Sequence, residues 1–152
     1  MKNPKKGDRL MRKIFAVVGM AITVVASTFA FSAPASAATG KCPMDANGIG
    51  FCLYYNSNQQ GAYYRWGSGT GEVDDLAGYV FPNNGAGAGQ PVKNNAASAS
   101  YSMGGGCVCS NDFVRVFFYS GQQGDYDVVT SNTNVQLVKT YNENASWRSY
   151  YY

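Results

Sequence analysis

The sequence predicts an all-β fold in which two similar Greek-key units pack as a sandwich. A segment occurs twice, 63 residues apart: residues 51–63 read FCLYYNSNQQGAY, and residues 114–126 read VRVFFYSGQQGDY. Short aromatic and β-branched runs alternate with turn residues, and no stretch keeps the i, i+3, i+4, i+7 spacing of an amphipathic helix. Two units that each bury one sheet face would share a core.

Each copy of the repeated segment is an alternating strand that runs into a polar turn closed by glycine. Leu53 and Val116 occupy matching places on the apolar face of the strand, where we expect both to be buried. Arg115 points the other way and marks the opposite face as wet. Gly61 and Gly124 close the two turns, and we expect both at positive φ.

Eight strands are predicted, four in each half, at residues 51–55, 63–66, 79–81, 92–100, 114–119, 126–129, 135–140 and 146–151. A second landmark closes each half, since residues 94–98 read NNAAS and residues 142–146 read NENAS. The first half carries an extra loop at residues 81–91 that is rich in Gly, Ala, Asn and Pro. Because this loop offers few side chains for packing, we expect an exposed connection.

The first 37 residues have the features of a signal peptide. Six Lys and Arg residues precede an apolar run at residues 14–31, and Ala35-Ser36-Ala37 supplies the small residues of a cleavage site. We predict cleavage after Ala37 and a secreted, extracellular protein. A retained membrane helix is the alternative, which the polar interruptions of the run disfavour. The predicted mature chain, residues 38–152, is one domain with repeats at about 42–100 and 107–152.

Removal of this leader reverses the sign of the net charge. The full chain carries a formal charge of +3, whereas residues 38–152 contain six Lys and Arg against eight Asp and Glu, which gives −2. The basic character of the full chain therefore indicates neither a nucleic acid nor a membrane as a partner. We expect the mature protein to be a monomer.

Four cysteines in an exported chain are expected to form two disulfides. Cys42 and Cys52 bracket a polar stretch that resembles a hairpin end, which favours a bridge between them. Cys107 and Cys109 are only two residues apart, and a bridge between them would close a small, strained ring. Cross-pairing of Cys42 and Cys52 with Cys107 and Cys109 therefore stays open as the alternative.

The chain contains no histidine, which excludes Ser-His-Asp and Cys-His catalysis and His-ligated zinc. Two carboxylate pairs could in principle serve a glycosidase, namely Asp74 with Asp75 and Asp125 with Asp127. Acidic residues around turns are usually solvated charges. We therefore expect no enzymatic activity.

Several segments carry a resemblance to a known family. Cys42-Pro43, FCLYYNSN at residues 51–58, DLAGY at residues 75–79 and VKNNAAS at residues 92–98 resemble the secreted actinobacterial peptidase inhibitors typified by the Streptomyces metalloproteinase inhibitor. The resemblance covers essentially the whole predicted mature chain. It implies a βγ-crystallin-like sandwich of two Greek-key repeats and a secreted peptidase as the partner. Crystallin hairpins carry a second aromatic residue where this chain has Gln59 and Gln122.

For an inhibitor of this family the resemblance implies a contact loop that a disulfide holds and that the enzyme meets as it would a substrate. The matching stretch is residues 102–110, in which the predicted peptidase contacts are Gly106, Cys107, Val108 and Cys109. Val108 would fill an apolar subsite of the enzyme. The alternative interpretation makes the glycines at 104–106 a turn between the halves and Cys107 a structural half-cystine.

A second hypothesis is weak calcium binding, with no other cofactor. Microbial βγ-crystallins bind calcium at the pattern Asn/Asp-Asn/Asp-x-x-Ser/Thr-Ser, whose first five places are matched by residues 94–98 and, with Glu143 in the second place, by residues 142–146. The predicted ligands are Asn95, Ser98, Glu143 and Ser146. The alternative is that both serines hydrogen-bond to the folded hairpin of their own motif.

A third hypothesis is a wall- or glycan-binding module. Tyr64, Trp66 and the three tyrosines at residues 150–152 would form a platform of exposed rings for sugar stacking. Tyrosine is equally a common strand residue, so the same residues also suit a sheet.

Overall fold

The described residues fold into eight β-strands. The computed structural model describes residues 41–82, 85–104 and 111–151, and these ranges contain no helix. The first repeat contains β1 (Ile49–Asn56), β2 (Gln60–Trp66), β3 (Glu72–Val73) and β4 (Ser98–Met103). The second repeat contains β5 (Phe113–Tyr119), β6 (Gln123–Thr130), β7 (Thr133–Gln136) and β8 (Ser146–Tyr150).

The strands form two four-stranded antiparallel sheets with the orders β2-β1-β4-β7 and β3-β8-β5-β6. Each sheet takes three strands from one repeat and its remaining edge strand from the other, so the two repeats exchange their third strands. β3 pairs with β8, and β7 pairs with β4. This arrangement confirms the predicted all-β, βγ-crystallin-like sandwich of two Greek keys.

The register of the strands repeats together with the sequence. Tyr54 opposes Tyr63 in the first hairpin, and 63 residues later Phe117 opposes Tyr126 in the second. Both hairpins have a bulge at the same place, just before their turns. The predicted strands that became β1, β2, β5, β6 and β8 are confirmed within a few residues at their ends.

The core lies between the two sheets and draws on both repeats. Leu53 and Val116 are wholly buried at matching places, as predicted. Trp66 and Trp147 come from different repeats and meet in the core with ring centroids 5.3 Å apart. Since each large apolar side chain contributes about 1.5–3 kcal/mol when fully buried, this shared cluster is the main source of stability.

The predicted strand at residues 79–81 is wrong. These residues form only a single bridge, between Val80 and Pro91, and the third strand of the first repeat is the two-residue β3. A strand of two residues is too short to show alternation in the sequence. An apolar residue stands at position 81 because the Phe81 side chain enters the core from a loop, without a strand.

The predicted strands at residues 92–100 and 135–140 are shifted. β4 begins only at Ser98, because Asn94 takes a positive φ of 61° that breaks the extended chain. β7 ends before Leu137, which is buried from a loop. Apolar residues in these loops are buried in the core although they do not pair in a sheet. The apolar pattern of the sequence therefore predicts the strand ends at the wrong residues.

The extra loop of the first repeat is only partly the exposed connection that the sequence predicts. The Ala62 N–H of β2 donates to the Ala86 carbonyl at 2.8 Å. A side chain at Gly87 would collide with the Tyr55 ring, so glycine lets the loop backbone lie against that ring. The loop therefore packs on the first hairpin through its main chain.

The predicted signal peptide, residues 1–37, lies outside the described residues. Within the part that the structure describes, no helix has the length and hydrophobicity to cross a membrane. A disulfide between Cys42 and Cys52 is consistent with an extracellular protein.

Candidate functional site

A serine in each repeat fastens the hairpin turn of that repeat. Ser98 Oγ donates to the Asn56 carbonyl at 2.6 Å and accepts from the Gln59 N–H at 3.0 Å. Ser146 makes the same two bonds to the β5–β6 hairpin, also at 2.6 and 3.0 Å. Both serines are wholly buried. Each hydroxyl thus uses its donor and one of its two acceptor lone pairs on its hairpin.

The two hairpin turns share an unusual backbone conformation. Gly61 and Gly124 both have φ of 78°, which confirms the predicted positive φ. Gln59 and Gln122 also have positive φ, at 54° and 56°. This region is uncommon for residues other than glycine, and the bond from each glutamine N–H to the serine holds it there.

The two glutamines link each hairpin to the other repeat. Gln59 is buried, and its Nε2 donates to the carbonyls of Ala99 and Val135 at 3.4 and 3.2 Å. Gln122 Nε2 donates to Asp74 Oδ1 at 2.7 Å. Because Val135 lies in β7 and Asp74 follows β3, both bonds fasten an exchanged strand. Hydrogen bonding at this place replaces the aromatic stacking of a crystallin hairpin.

A cavity of about 180 Å³ opens where loops of the two repeats meet. It is lined by Lys93, Asn94, Phe118, Tyr119, Ser120, Glu143 and Ala145. Lys93 Nζ donates to Asp75 Oδ1 at 2.8 Å and to Ser120 Oγ at 3.0 Å. The hydrogen bond from Lys93, followed by that from the Ala77 N–H, holds the pKa of Asp75 below its usual value. The cavity wall therefore carries an ammonium group.

The predicted calcium ligands lie in different environments. Ser98 and Ser146 hold the hairpins, as the alternative interpretation expects, and Asn95 Nδ2 donates to the Lys93 carbonyl at 3.0 Å. Of the four, only Glu143 lines the cavity. No group of three or more His, Cys, Asp or Glu among the described residues could hold a metal ion. The nearby ammonium opposes a divalent cation, so these residues fit calcium poorly.

The favoured disulfide between Cys42 and Cys52 is confirmed. It covers the outer face of the first sheet, where the Cys42 N–H donates to Ser100 Oγ at 3.0 Å. The loop that it closes also touches the end of β4, since the Gly104 N–H donates to the Gly48 carbonyl at 2.7 Å. One end of the sandwich is thereby tied together.

Asp45 orders the loop that the disulfide closes. Its carboxylate accepts hydrogen bonds from the N–H groups of Asn47 and Ile49 at 2.9 and 3.1 Å, and from that of Ser68. These bonds, with Ser68 contributing most, lower the pKa of Asp45 far below its ordinary value. The carboxylate therefore joins the disulfide loop to the turn after β2.

The flanks of the predicted peptidase-contact segment lie beside this loop. The Met103 N–H donates to Asn132 Oδ1 at 3.0 Å, and the Ser131 N–H donates to the Asp112 carbonyl at 2.9 Å. The β6–β7 turn thus holds both flanks. The predicted contacts Gly106, Cys107, Val108 and Cys109 themselves lie outside the described residues, and so does the pairing of the last two cysteines.

The predicted sugar-stacking platform is wrong for Trp66, which is 5% exposed and belongs to the core. Tyr64 packs against Trp66 and Tyr79, with ring centroids 4.6 and 5.2 Å away. Tyr150 lies instead on the outer face of the second sheet, stacked on Phe113 at 5.0 Å. Of the other platform residues that the structure describes, Tyr64 and Tyr150 are partly exposed and Tyr151 is exposed.

Sequence reasoning missed Asn144, which is wholly buried. Its Oδ1 accepts from the Ala96 N–H and its Nδ2 donates to the Val92 carbonyl, both at 3.0 Å. Its carbonyl accepts from the Asn94 N–H at 2.8 Å. When the two motifs are aligned, Asn144 stands where the first repeat has the apolar Ala96. This polar residue at an otherwise apolar place is the signal in the sequence that could have identified Asn144.

Two sheets with exchanged third strands, and a buried serine under each folded hairpin, define a βγ-crystallin-like fold. The chain is similar to a solved structure from work on the evolution of the eye lens beta-gamma-crystallin domain fold, with 18% identity, a TM-score of 0.49, and 74% of this chain and 95% of that chain covered. No protein-family model matches the chain, and no curated protein matches it.

Proposed function

We propose that the exported protein inhibits secreted metallopeptidases and binds them in a substrate-like manner through residues 106–109. Val108 fills an apolar subsite of the enzyme, and the glycines before it let the chain approach the cleft closely. The proposal takes its target class from the family resemblance of the sequence.

The anchoring of both flanks of residues 105–110 carries this proposal. A substrate-like inhibitor gains affinity when its contact segment is held in place before binding, because ordering the segment on the enzyme costs free energy. The preceding flank is fixed at Gly104 by the Gly48 carbonyl, and the following flank is fixed at Asp112 by the Ser131 N–H.

The position of the disulfide loop also supports the proposal. Cys42-Pro43 and the strand around Cys52 are the most specific part of the resemblance, and they form the loop that contacts the preceding flank. Asp45 and the disulfide stiffen this loop. The disulfide loop, which carries the most specific part of the resemblance, therefore supports the segment that the resemblance assigns to peptidase contact.

The test uses protein exported by an expressing host, whose N-terminal sequence is expected to begin at Ala38. Residual activity is measured for a panel of thermolysin-like, subtilisin-like and trypsin-like peptidases. We expect stoichiometric inhibition of a thermolysin-like enzyme. Absence of inhibition across the whole panel would remove this function.

Val108→Asp is expected to weaken inhibition about thirtyfold or more, equivalent to about 2 kcal/mol, because the new carboxylate would be buried in the enzyme without a partner. Val138→Asp makes the same change at a residue that is 79% exposed, and it should inhibit like the wild type. Melting temperatures first establish that both variants are folded, and their inhibition constants are then compared. Full inhibition by Val108→Asp would move the contact elsewhere.

A further inference from the structure

The outer faces of the two sheets differ although their strands correspond. On the first sheet, Cys52 and Tyr54 face outward and are buried under the segment that contains Cys42. The residue that matches Cys52 on the second sheet, 63 positions later, is Arg115. Its cross-strand neighbour Val128 is 41% exposed. One outer face is therefore closed by the chain itself, whereas the other is partly exposed around Arg115, Val128 and Arg148.

Arg115 lies among three aromatic rings on this second face. Its Cζ is 4.5 Å from the ring centroid of Tyr126, 4.8 Å from that of Tyr150 and 5.3 Å from that of Phe113. All three rings are partly exposed. The arginine–aromatic face is the surface formed by Phe113, Arg115, Tyr126, Arg148 and Tyr150.

Two arginines oppose each other directly on this face. Arg115 and Arg148 are register partners in the β5–β8 pair, and like charges so placed destabilise a sheet. Arg148 is compensated by Glu72, whose carboxylate lies 3.0 Å from its Nε. Arg115 makes no ion pair with any residue that the structure describes, and its Nε is buried without an acceptor. Among the described residues, its cationic group contacts three aromatic rings and no carboxylate, so the guanidinium keeps its capacity for a carboxylate.

The face is cationic on a chain that is otherwise acidic. Residues 38–152 carry a net charge of −2 and only six Lys and Arg, of which Arg115 and Arg148 lie here. A third, Lys139, has its Nζ 5.6 Å from the Tyr126 ring. Asp125 and Asp127 point to the other side of β6, because side chains alternate along a strand. Segregated positive charge of this kind favours an anionic partner.

We propose that the arginine–aromatic face binds an acidic polysaccharide whose sugars carry carboxylate groups. The Arg115 guanidinium binds a carboxylate, for which its planar fork is suited, and the aromatic rings pack against the apolar faces of the sugar rings. A neutral glycan would leave Arg115 without a counter-charge, and an acidic peptide would leave the rings without a flat partner. This binding does not depend on the inhibitor function.

Polygalacturonate is the probe that tests this proposal. The exported protein is expected to be retained on immobilised polygalacturonate at low salt and released as salt is raised, and neutral dextran should not retain it. Arg115→Gln should weaken binding at least tenfold. Arg115→Lys keeps the charge without the planar fork, and its loss should be intermediate.

Arg65→Gln is the matched control, because it removes the same charge from an exposed residue of β2 in the other sheet. It should bind polygalacturonate like the wild type. Melting temperatures establish that each variant is folded, and if Arg115→Gln does not fold, Arg115→Lys carries the comparison. The proposal fails if polygalacturonate is not bound, if the Arg115 variants bind as tightly as the wild type, or if poly-glutamate is bound equally well.

Discussion

At Asp45, hydrogen bonds from two separate loops converge on one partly exposed carboxylate. The N–H groups of Asn47 and Ile49 belong to the disulfide loop, while that of Ser68 belongs to the turn after β2. The Ser68 side chain contributes most to the lowered pKa of this carboxyl, and the three N–H groups add to it, because all of these hydrogen bonds favour the ionised carboxylate. The order of this loop therefore depends on a single negative charge.

Asp45→Asn is expected to lower the melting temperature at pH 7 and to reduce the loss of stability in acid. Because the pKa of Asp45 is lower in the folded protein than its unfolded value of about 3.9, its contribution is present above that pH and is lost as pH falls through the folded pKa. Melting scans between about pH 7 and pH 2 measure this dependence. Asp125→Asn, at an exposed carboxylate, is the control. Parallel pH profiles for the wild type and Asp45→Asn would contradict the assignment.

Lys93 is expected to weaken the affinity of the neighbouring cavity for cations, because its ammonium group lies in the cavity wall. We expect calorimetry to detect calcium binding no tighter than about 1 mM, at the weak end of extracellular calcium modules. Lys93→Gln removes the ammonium and frees Asp75, so it should strengthen calcium binding. Lys139→Gln changes the same charge away from the cavity and should leave the titration unchanged. An equal affinity in all three proteins would show that Lys93 does not oppose the ion.

At the scale of elements, the two folded hairpins have the same conformation but different surroundings. A Cβ at Gly61 would lie 2.7 Å from the Ala86 carbonyl oxygen, which is main chain and cannot easily move. A Cβ at Gly124 would lie 2.7 Å from the ring of Tyr119, which is 59% exposed and free to turn. The extra loop of the first repeat therefore leaves less room for an added side chain at Gly61 than the exposed Tyr119 ring leaves at Gly124.

Gly61→Ala is accordingly expected to destabilise the protein by about 2–3 kcal/mol, and Gly124→Ala by about 1–2 kcal/mol. Gly69→Ala isolates the backbone strain, because Gly69 has φ of 86° with no atom within 4 Å of an added Cβ. Denaturant unfolding of the three variants gives the free energies. A larger loss at Gly124 than at Gly61 would contradict this order.

The sequence predicts the hairpin elements well because β1 and β5 place an apolar residue at every second position facing the core, and each runs into a turn closed by glycine that leads into β2 or β6. The short third strand could not be found, since Glu72 and Val73 pair through their main chains and show no pattern. The same limit applies to the arginine–aromatic face. The sequence predicts a solvent-exposed face for Arg115, but Tyr126 and Tyr150 contact it from two other strands whose register the sequence does not show.

At the scale of the whole molecule, Trp66 and Trp147 belong to different repeats and lie in one shared core. The fluorescence of each tryptophan therefore follows the unfolding of its own repeat. Because the repeats exchange strands and share that core, we expect them to unfold in one transition. Trp66→Phe and Trp147→Phe each leave a single tryptophan, and denaturant unfolding of both is followed by fluorescence and by circular dichroism. Fluorescence and dichroism curves should coincide within each variant. Separate midpoints would show that the repeats unfold independently.

The long-range contacts between repeats explain which parts of the candidate site escaped prediction. Ser98 and Ser146 were identified because each lies at a fixed place in a repeated motif. The role of Asn144 depends on the Ala96 and Val92 main chains of the other repeat, about 50 residues away, and local pattern carries no information at that distance. Contacts fixed by a repeated motif, such as those of the two serines, were predictable, whereas contacts that depend on strand register or on the other repeat required the fold.

The exchange of third strands also bears on how such a molecule could arise. A single repeat expressed as its own chain would lack one strand of its sheet and would present a spare strand to a neighbour. Two identical copies would exchange these strands about a twofold axis and complete each other's sheets, as subunits of a symmetric dimer do. Joining the copies end to end leaves every strand pair unchanged and adds only the link at residues 104–112. After such a gene duplication the copies are free to diverge, so that one outer face could gain a disulfide and the other a cluster of arginines and rings.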